Sequence, residues 1–229
     1  MALMQTWVLF AAINLVACFL NHIDDTDEPY GYWEPFHYLL YGKGMQTWEY
    51  SPTFGIRTYS FVVPIWILGR LFSLATEWRK IYLFYAIRAA IGLFSAYAKA
   101  KFVVSAKKMI GDSISATTAL FLVLSPGIFY CGTSYLPSAV VTSMIMLSAA
   151  DLMMNKHGGT IFWGCIAVLW SGWPFVGVIL LPFGLYMLFE QYRLDSFAGV
   201  MRLIMTGVVI LVVTGVPPVI MDYYLYGQV

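Results

Sequence analysis

The stretch that decides the fold lies at residues 7–28 and reads WVLFAAINLVACFLNHIDDTDE. An apolar run from Trp7 to Leu20 is followed within a few residues by four carboxylates, Asp24, Asp25, Asp27 and Glu28. Ionised carboxylates are too costly to place in hydrocarbon, whereas the apolar run has the composition of a membrane helix. The pattern therefore predicts a helix that ends at a membrane–water boundary, with the acidic cluster in the water beside it.

The composition of the whole chain extends this interpretation to a polytopic membrane protein. Of the 229 residues, 60% are hydrophobic and only 11% are charged, and the mean hydropathy is +0.75. Soluble domains carry about a quarter of charged residues, so this chain cannot cover a water-exposed surface. The predicted fold class is all-α, a bundle of transmembrane helices. The net charge of +1 and the lack of a basic stripe argue against nucleic-acid binding.

Seven apolar segments are candidates for membrane spans, at roughly 5–21, 57–75, 80–103, 115–131, 134–153, 160–189 and 198–221. The sixth is too long for a simple crossing and contains Gly172-Trp173-Pro174. Proline removes a backbone donor and clashes with the preceding turn, so a kink or a pair of short helices is expected there. The chain therefore has seven or eight predicted spans. The first one is expected to be retained rather than cleaved as a signal peptide.

The segment at residues 22–56 is the longest stretch that is not apolar, and it is rich in tryptophan and tyrosine. Such aromatic residues concentrate at membrane interfaces. Residues 32–41 predict a short amphipathic helix with Glu34 or Pro35 in its first turn, ended by Gly42 in the left-handed conformation. This loop is expected to place an interfacial helix over a cavity beside the carboxylates.

The basic residues do not fit simple alternation of these spans. If residues 22–56 lie on one side, alternation puts Arg70, Arg79 and Lys80 on the other side, as expected for a cytoplasmic turn. The same alternation puts the basic stretch at 99–108 on the carboxylate side, which the positive-inside rule disfavours. Either the third helix ends in a basic interfacial stretch or one span is wrongly assigned.

The acidic cluster allows three interpretations. Neighbouring carboxylates repel one another, which raises the pKa of at least one of them and suits a general base. Carboxylates also bind Mg²⁺, Ca²⁺ or Mn²⁺, so a metal site is the competing interpretation. The third is a solvated acidic turn that caps the following helix.

Two arginines and one histidine stand out in the remaining sequence. Arg88 lies inside an apolar span, where it either binds a phosphate or extends its charge toward the helix end. Arg57 precedes the second span, where it either binds a phosphate at the interface or pairs with Glu49. His37 lies on the predicted interfacial helix and suits packing or hydrogen bonding better than catalysis.

Several motifs together resemble a known family. They include Tyr32-Trp33-Glu34-Pro35, His37-Tyr38-Leu39, Gln46-Thr47-Trp48-Glu49-Tyr50-Ser51-Pro52 and Ile56-Arg57-Thr58-Tyr59, with further similarity at Leu136-Pro137-Ser138, Gly172-Trp173-Pro174-Phe175 and 222–227. This chain resembles glycosyltransferase family 22, the GT-C mannosyltransferases, and within it the α-1,2-mannosyltransferases of asparagine-linked glycosylation. Family members are longer, so residues 1–229 correspond to an N-terminal portion of the GT-C transmembrane domain, with 22–56 as its first lumenal loop.

The resemblance implies a set of substrates and site residues. The donor would be dolichyl-phosphate mannose and the acceptor a dolichyl-diphosphate-linked oligosaccharide, both in the membrane of the endoplasmic reticulum, with no cofactor and no metal. The family's His-Pro-Asp-Glu signature falls on Asp25-Thr26-Asp27-Glu28 and matches only at its last two positions. Asp27 and Glu28 are therefore the leading catalytic candidates, with Asp25 behind them. The remaining candidates are Arg88 and Arg57 for the donor phosphate, and Trp33, Glu34, His37, Trp48 and Glu49 for the sugars.

The implied reaction inverts a β-linked mannose to an α-1,2 product, which needs one base. The hypothesis is that Asp27, supported by Glu28, deprotonates the 2-hydroxyl of the acceptor mannose. Two alternatives remain open. One is a transporter or lipid scramblase in which the acids gate a path, and the other is a membrane fragment without catalytic activity.

Overall fold

The structure is a computed structural model that describes residues 2–75 and 79–227, and within these ranges it is helical without a β-strand. The α-helices are α1 (Leu3–Leu20), α2 (Glu34–Tyr41), α3 (Val63–Ala75), α4 (Lys80–Ile110), α5 (Asp112–Leu124), α6 (Pro126–Cys131), α7 (Pro137–Met153), α8 (His157–Leu169) and α9 (Val176–Gly227). A π-helical turn, Pro29–Trp33, and two 3₁₀ turns, Trp48–Tyr50 and Tyr59–Phe61, lie between α1 and α3.

Three of these helices, α1, α4 and α9, are long and apolar enough to cross a membrane. They contain 18, 31 and 52 residues. Shorter apolar helices, among them α5, α7 and α8, pack beside them. The predicted class, an all-α helical membrane protein, is confirmed.

Helices α1 and α4 run antiparallel, and their contacts show where α4 begins. The Cys18 thiol near the end of α1 lies 3.5 Å from the Tyr85 carbonyl near the start of α4, and the rings of Phe19 and Tyr85 stack. Asn14, in the middle of α1, donates to the Gly92 carbonyl at 2.7 Å. Helix α4 therefore starts at the end of the bundle that carries residues 21–56. We call this end the loop end.

The predicted span at 57–75 is wrong as a membrane crossing, because the chain is at the loop end both before and after it. Helix α3 follows the loop segment and leads into α4, whose first residue, Lys80, contacts His37 of α2 at 2.8 Å. Trp66 of α3 donates its indole N–H to the Leu39 carbonyl, which holds α3 against α2. An apolar helix of 13 residues can pack on the bundle instead of crossing the bilayer.

The position of α3 changes which basic residues lie at each end of the bundle. Arg79 and Lys80 lie at the loop end, whereas the end of α4 with Lys107 and Lys108 lies at the opposite end. Lys99 is buried between them at 3% exposure, and its ammonium donates to the Asn14 amide oxygen at 3.0 Å. This arrangement favours the alternative that one span was wrongly assigned, and the side of the membrane on which each basic residue lies stays a prediction.

Site-directed labelling tests the reversal of the chain around α3. The cysteines of the full-length protein, including Cys18, Cys131 and Cys165, are first replaced by alanine. Arg79→Cys is then expected to react with a membrane-impermeant maleimide from the same side as Asp25→Cys, and Lys108→Cys from the opposite side. All three positions are exposed in the structure. Labelling of Arg79→Cys from the same side as Lys108→Cys would contradict this prediction and would show that residues 57–75 cross the membrane.

Two further predicted spans are interrupted, and the last two predicted spans are separated by a break inside α9. The span at 115–131 breaks between α5 and α6, where Ser125 caps the helix that starts with Pro126. The expected interruption at Gly172-Trp173-Pro174 is confirmed, because α8 ends at Leu169 and α9 begins at Val176. Inside α9 the backbone leaves helical geometry at Asp195 and Ser196. The number of seven or eight spans stays a prediction.

Helix α9 turns back at this interruption, which brings its last turns to the loop end. Glu190 before the turn contacts His157 at the start of α8, at 2.9 Å. After the turn, the Thr214 carbonyl accepts from Trp170 at the end of α8, at 2.8 Å. The final turns of α9, including Asp222, therefore lie beside the 3₁₀ turn at Tyr59–Phe61.

The predicted short helix is confirmed as α2, which is capped by Gly42 at φ 68°, and its position at a membrane interface stays a prediction. Its buried face, with Phe36 and Leu40, belongs to a mainly aromatic core that joins the loop to α3, α4 and the segment before α7. Tyr135 is fully buried in this core and contacts the rings of Tyr32 and Trp33. The loop is thus a packed part of the protein rather than a linker.

Candidate active site

Glu28 anchors the acidic segment to the bundle. Its side chain is buried at 3% exposure. Its carboxylate accepts three hydrogen bonds, from the Trp33 indole at 3.1 Å, the Ser134 hydroxyl at 2.5 Å and the Tyr135 backbone N–H at 3.0 Å. A buried carboxylate needs such partners to offset the cost of leaving water. With its oxygens occupied, Glu28 is placed to position the segment rather than to receive a substrate proton.

Asp27 has the opposite environment. Its side chain is 65% exposed, and one of its oxygens lies 3.4 Å from the Arg57 guanidinium. Its backbone N–H donates to the Asp25 carboxylate at 2.8 Å, so Asp25 caps the helical turn that begins at Asp27. Of the three predicted catalytic acids, Asp27 is therefore the one with a free carboxylate held in a defined place, and Asp25 supports its backbone.

Arg57 is held between two carboxylates and an aromatic ring. Its Nε donates to Glu49 at 2.6 Å, a terminal nitrogen faces Asp27, and the guanidinium lies 5.0 Å from the centre of the Tyr32 ring. Burial alone would lower the pKa of Arg57, but the Glu49 hydrogen bond and the nearby carboxylate charges raise the pKa above its ordinary value. Burial raises the pKa of Tyr32 to about 12, against the opposing charge of Arg57. Arg57 thus stays charged and Tyr32 neutral at physiological pH.

The backbone around Arg57 is fixed from the end of α9. The Asp222 carboxylate accepts from the Thr58 hydroxyl at 2.7 Å and from the Tyr59 backbone N–H at 2.8 Å. The Tyr226 hydroxyl donates to the Arg57 carbonyl. Nothing in the sequence pattern indicates these contacts, since Asp222 lies 164 positions from Thr58.

These groups line a cleft of about 160 Å³ at the loop end. Its walls are Asp27, Tyr32, Glu49, Ile56, Arg57, Thr58, Ser171, Gly172 and Trp173. Gly172 has φ 71° and its Cα lies so close to Thr58 that a Cβ would come within 2.9 Å of the threonine methyl. Glycine therefore allows the 170–175 turn to approach the Arg57 segment closely. We call this the acid–arginine cleft.

An apolar cavity of about 380 Å³ adjoins the acid–arginine cleft. Its lining includes Phe61, Tyr135 and Trp170, and the Ser60 hydroxyl on its wall contacts the hydroxyl of Thr58, a residue of the cleft, and donates to the Trp170 carbonyl. A polar cleft next to an apolar cavity suits an amphiphilic ligand with a polar head and a hydrocarbon part.

The structure divides the predicted sugar-binding residues between two places. Glu49 lines the acid–arginine cleft, whereas Trp33, Glu34 and His37 line a different cavity of about 230 Å³. Trp48 lines neither of them; it is 61% exposed and its ring meets Phe54 edge to face. The sugar-binding role of all five residues stays a prediction.

The two predicted phosphate ligands also separate. Arg57 pairs with Glu49, which is the alternative that the sequence left open. Arg88 is buried at 3% exposure, donates to the Thr133 hydroxyl at 3.2 Å and lies over the Phe84 ring, so it is not part of the cleft wall. Within residues 2–75 and 79–227, no three His, Cys, Asp or Glu side chains converge as metal ligands.

The fold and the cleft define a class: a helical membrane protein with an acidic, arginine-containing cleft at one end of the bundle, beside an apolar cavity. Comparison with known proteins then assigns the family. The chain belongs to the Alg9-like mannosyltransferase family, whose family model matches residues 5–229. The resemblance inferred from the loop motifs is confirmed.

Curated relatives from distant organisms agree with this assignment. The chain is 35% identical over 209 residues to the alpha-1,2-mannosyltransferase ALG9 of Arabidopsis thaliana, covering 91% of this chain and 35% of the relative. It is 33% identical over 215 residues to the protein of that name from Mus musculus (94% and 34%) and 30% identical over 215 residues to that from Saccharomyces cerevisiae (90% and 38%). The chain thus spans about a third of the length of these relatives. No solved structure matches it.

Proposed function

We propose that this chain supplies the catalytic base of an enzyme that transfers mannose from dolichyl-phosphate mannose to a dolichyl-diphosphate-linked oligosaccharide. Membership of the Alg9-like family and the printed names of the relatives support an α-1,2-mannosyltransferase. The observation that carries the proposal is the contrast between two adjacent acids. Asp27 is exposed in a cleft, whereas Glu28 is buried with its oxygens occupied.

The proposed reaction needs one base. Dolichyl-phosphate mannose carries its mannose in a β linkage, so an α product requires a single in-line displacement. Asp27 takes the proton from the 2-hydroxyl of the acceptor mannose as that oxygen bonds to the anomeric carbon. The bond from this carbon to the phosphate oxygen breaks, and dolichyl phosphate leaves with the electron pair as a stable anion. This differs from glycoside hydrolysis, in which two carboxylates flank the bond.

The neighbours of Asp27 fit the needs of such a base. Asp25 holds the backbone of Asp27, and Arg57 faces its carboxylate at 3.4 Å. Glu49 occupies Nε of Arg57, which restricts the guanidinium to one orientation. Holding a base within about 0.5 Å of its productive position is a large part of what such supporting residues contribute. In this proposal Glu28 is a positioning residue.

The location proposed for this activity is the endoplasmic reticulum membrane, with the loop end in the lumen. The opposite end carries Lys107, Lys108, Lys156 and Arg202, and the loop end carries Lys43, Arg57, Arg79 and Lys80, so the positive-inside rule does not choose between the two ends. The lumenal orientation of the loop end is the one that the resemblance to GT-C mannosyltransferases implies. The apolar cavity beside the acid–arginine cleft supports substrates that carry a lipid, since it would receive hydrocarbon next to the polar head.

Transfer of radiolabelled mannose by the full-length protein tests this function. The purified enzyme in detergent or vesicles receives dolichyl-phosphate mannose and a defined dolichyl-diphosphate-linked oligosaccharide. We expect a labelled product that is cleaved by an α-1,2-mannosidase, and no labelling when the acceptor is omitted. Movement of the lipid between leaflets without any transfer would instead support the transporter alternative and refute the proposal.

A further inference from the structure

The loop end contains a second cavity, separated from the acid–arginine cleft by residues 27–33. Asp27 and Tyr32 line the acid–arginine cleft, whereas Pro29 and Trp33 line the second cavity of about 230 Å³. Its other walls are Ile23, Glu34, Phe36, His37, Tyr41, Lys80, Leu83 and Phe84. We call it the Lys80 cavity. The segment that carries the proposed base thus has a cavity on each side.

Lys80 is held in this cavity by uncharged groups. The His37 Nδ1 lies 2.6 Å from the Lys43 carbonyl, so this nitrogen carries the proton and donates it. The other ring nitrogen, Nε2, then accepts from the Lys80 ammonium at 2.8 Å. The ammonium also lies 4.8 Å from the centre of the Tyr41 ring. These contacts orient the charge of Lys80 without neutralising it.

The Lys80 cavity and the acid–arginine cleft differ in their balance of positive and negative charges. Arg57 in the acid–arginine cleft faces two carboxylates, Glu49 and Asp27. Across residues 2–75 and 79–227, no ion pair joins Lys80 to a carboxylate. Glu34 shares the Lys80 cavity and keeps its charge, with one oxygen accepting from the Met45 backbone N–H at 3.0 Å. The Lys80 cavity therefore holds one ammonium and one carboxylate, whereas the acid–arginine cleft holds one guanidinium and two carboxylates. An anion would therefore be attracted to the Lys80 cavity more than to the acid–arginine cleft.

The surroundings of Lys80 suit an anion attached to hydrocarbon. Lys80 is the first residue of α4, where the unpaired backbone N–H groups of the helix add a partial positive charge. Arg79 precedes it, and both side chains are exposed at the loop end. Phe36, Leu83 and Phe84 supply an apolar wall to the same cavity. A phosphate at the head of a lipid would place its charge near Lys80 and its hydrocarbon against the apolar side chains.

We propose that the Lys80 cavity binds the phosphate of a polyisoprenyl carrier, with Lys80 as its charged ligand and His37 as the residue that orients Lys80. The proposal rests on the proposed function, since that function requires carriers with a phosphate or diphosphate head. It replaces Arg57 as the phosphate ligand, because Arg57 is already paired. In this proposal His37 and Trp33 both line the cavity that binds the phosphate.

Direct binding to the full-length protein tests this site without turnover. The probes are dolichyl phosphate and dolichyl diphosphate without sugars, with phosphatidylglycerol as a headgroup control. Lys80→Ala is expected to weaken binding of at least one dolichyl probe by about tenfold or more, the usual loss for a charge-assisted hydrogen bond. Lys80→Arg should keep most of the affinity, and His37→Ala should show a smaller loss. Lys108→Ala, an exposed lysine at the opposite end, is the matched control.

Each outcome of this experiment decides something about the site. A loss for dolichyl phosphate alone supports a donor-side phosphate, and a loss for dolichyl diphosphate alone supports an acceptor-side phosphate. Unchanged affinity of Lys80→Ala for both probes refutes the proposal, as does an equal loss for phosphatidylglycerol. Binding is measured in the absence of transfer, and Asp27→Asn is expected to bind both probes normally. The binding assay therefore tests the phosphate site, and the transfer assay tests the proposed function, so the failure of one can be told from the failure of the other.

Discussion

Asp27→Asn in the full-length protein is expected to lower the rate of mannose transfer by about 10²–10⁴-fold, the usual contribution of a general base. Asparagine keeps the size of the side chain and cannot accept the proton of the acceptor hydroxyl. The side chain is 65% exposed, so the substitution should leave the fold intact. The measurement is the single-turnover rate with bound donor and acceptor, together with the melting temperature of the purified protein.

Two neighbouring acids provide the controls for Asp27. Asp24 is exposed and contacts His22 at the surface, so Asp24→Asn should transfer mannose at the normal rate. Glu28→Ala would leave three donors without a partner, each costing about 1–3 kcal/mol, and should lower the melting temperature. Glu28→Gln retains the shape and should remain folded. If Asp27→Asn were active while a folded Glu28→Gln was inactive, the base would be Glu28 instead.

Arg57→Ala is expected to reduce both stability and transfer. The Glu49 side chain is 23% exposed and would lose the guanidinium that neutralises it, which costs about 3 kcal/mol when one partner of a largely buried pair is removed. Asp27 would also lose the positive group that faces its carboxylate. We expect a lower melting temperature and a lower turnover rate. The melting temperature and turnover rate of Arg57→Lys should lie between those of the wild-type protein and Arg57→Ala, because lysine keeps the charge but not the planar arrangement of donors.

A double substitution separates the structural contribution of this pair from its catalytic one. Glu49→Gln combined with Arg57→Met removes both charges, so most of the stability lost in Arg57→Ala should return. Transfer should stay low in the double variant, because Asp27 is still without its arginine. Recovery of the full rate along with stability would show that Arg57 acts only on the fold. An Arg57→Ala protein with unchanged stability and rate would contradict the prediction entirely.

Several parts of the fold were predictable because they depend on neighbouring residues. The first membrane helix follows from the length of the apolar run that ends at Leu20. Helix α2 follows from Pro35 in its first turn and Gly42 after its last. The interruption at 170–175 follows from Gly172 and Pro174, which together favour a turn over a continuous helix. The family was readable from the loop motifs, and the comparison confirmed it.

Other parts depend on contacts between distant residues and were missed or left open. Helix α3 has the composition of a short span, and only its packing on α2 and the start of α4 shows that it does not cross. The burial of Glu28 depends on Ser134 and Tyr135, more than 100 positions away. The choice between phosphate binding and ion pairing at Arg57 was open in the sequence, and the 2.6 Å contact with Glu49 shows the ion pair.

The sequence by itself determined the membrane class, the family and the acidic segment at the end of the first helix, because hydropathy, helix-breaking residues and local motifs act over a few turns of chain. Contacts between distant residues in the folded protein set which end of the bundle each basic residue occupies and which of two adjacent acids is exposed. The physical reason is that a carboxylate's role depends on its partners and its access to water. For Asp27 and Glu28, which follow each other in the chain, packing against α7 and its preceding turn makes one a buried anchor and leaves the other exposed in the acid–arginine cleft.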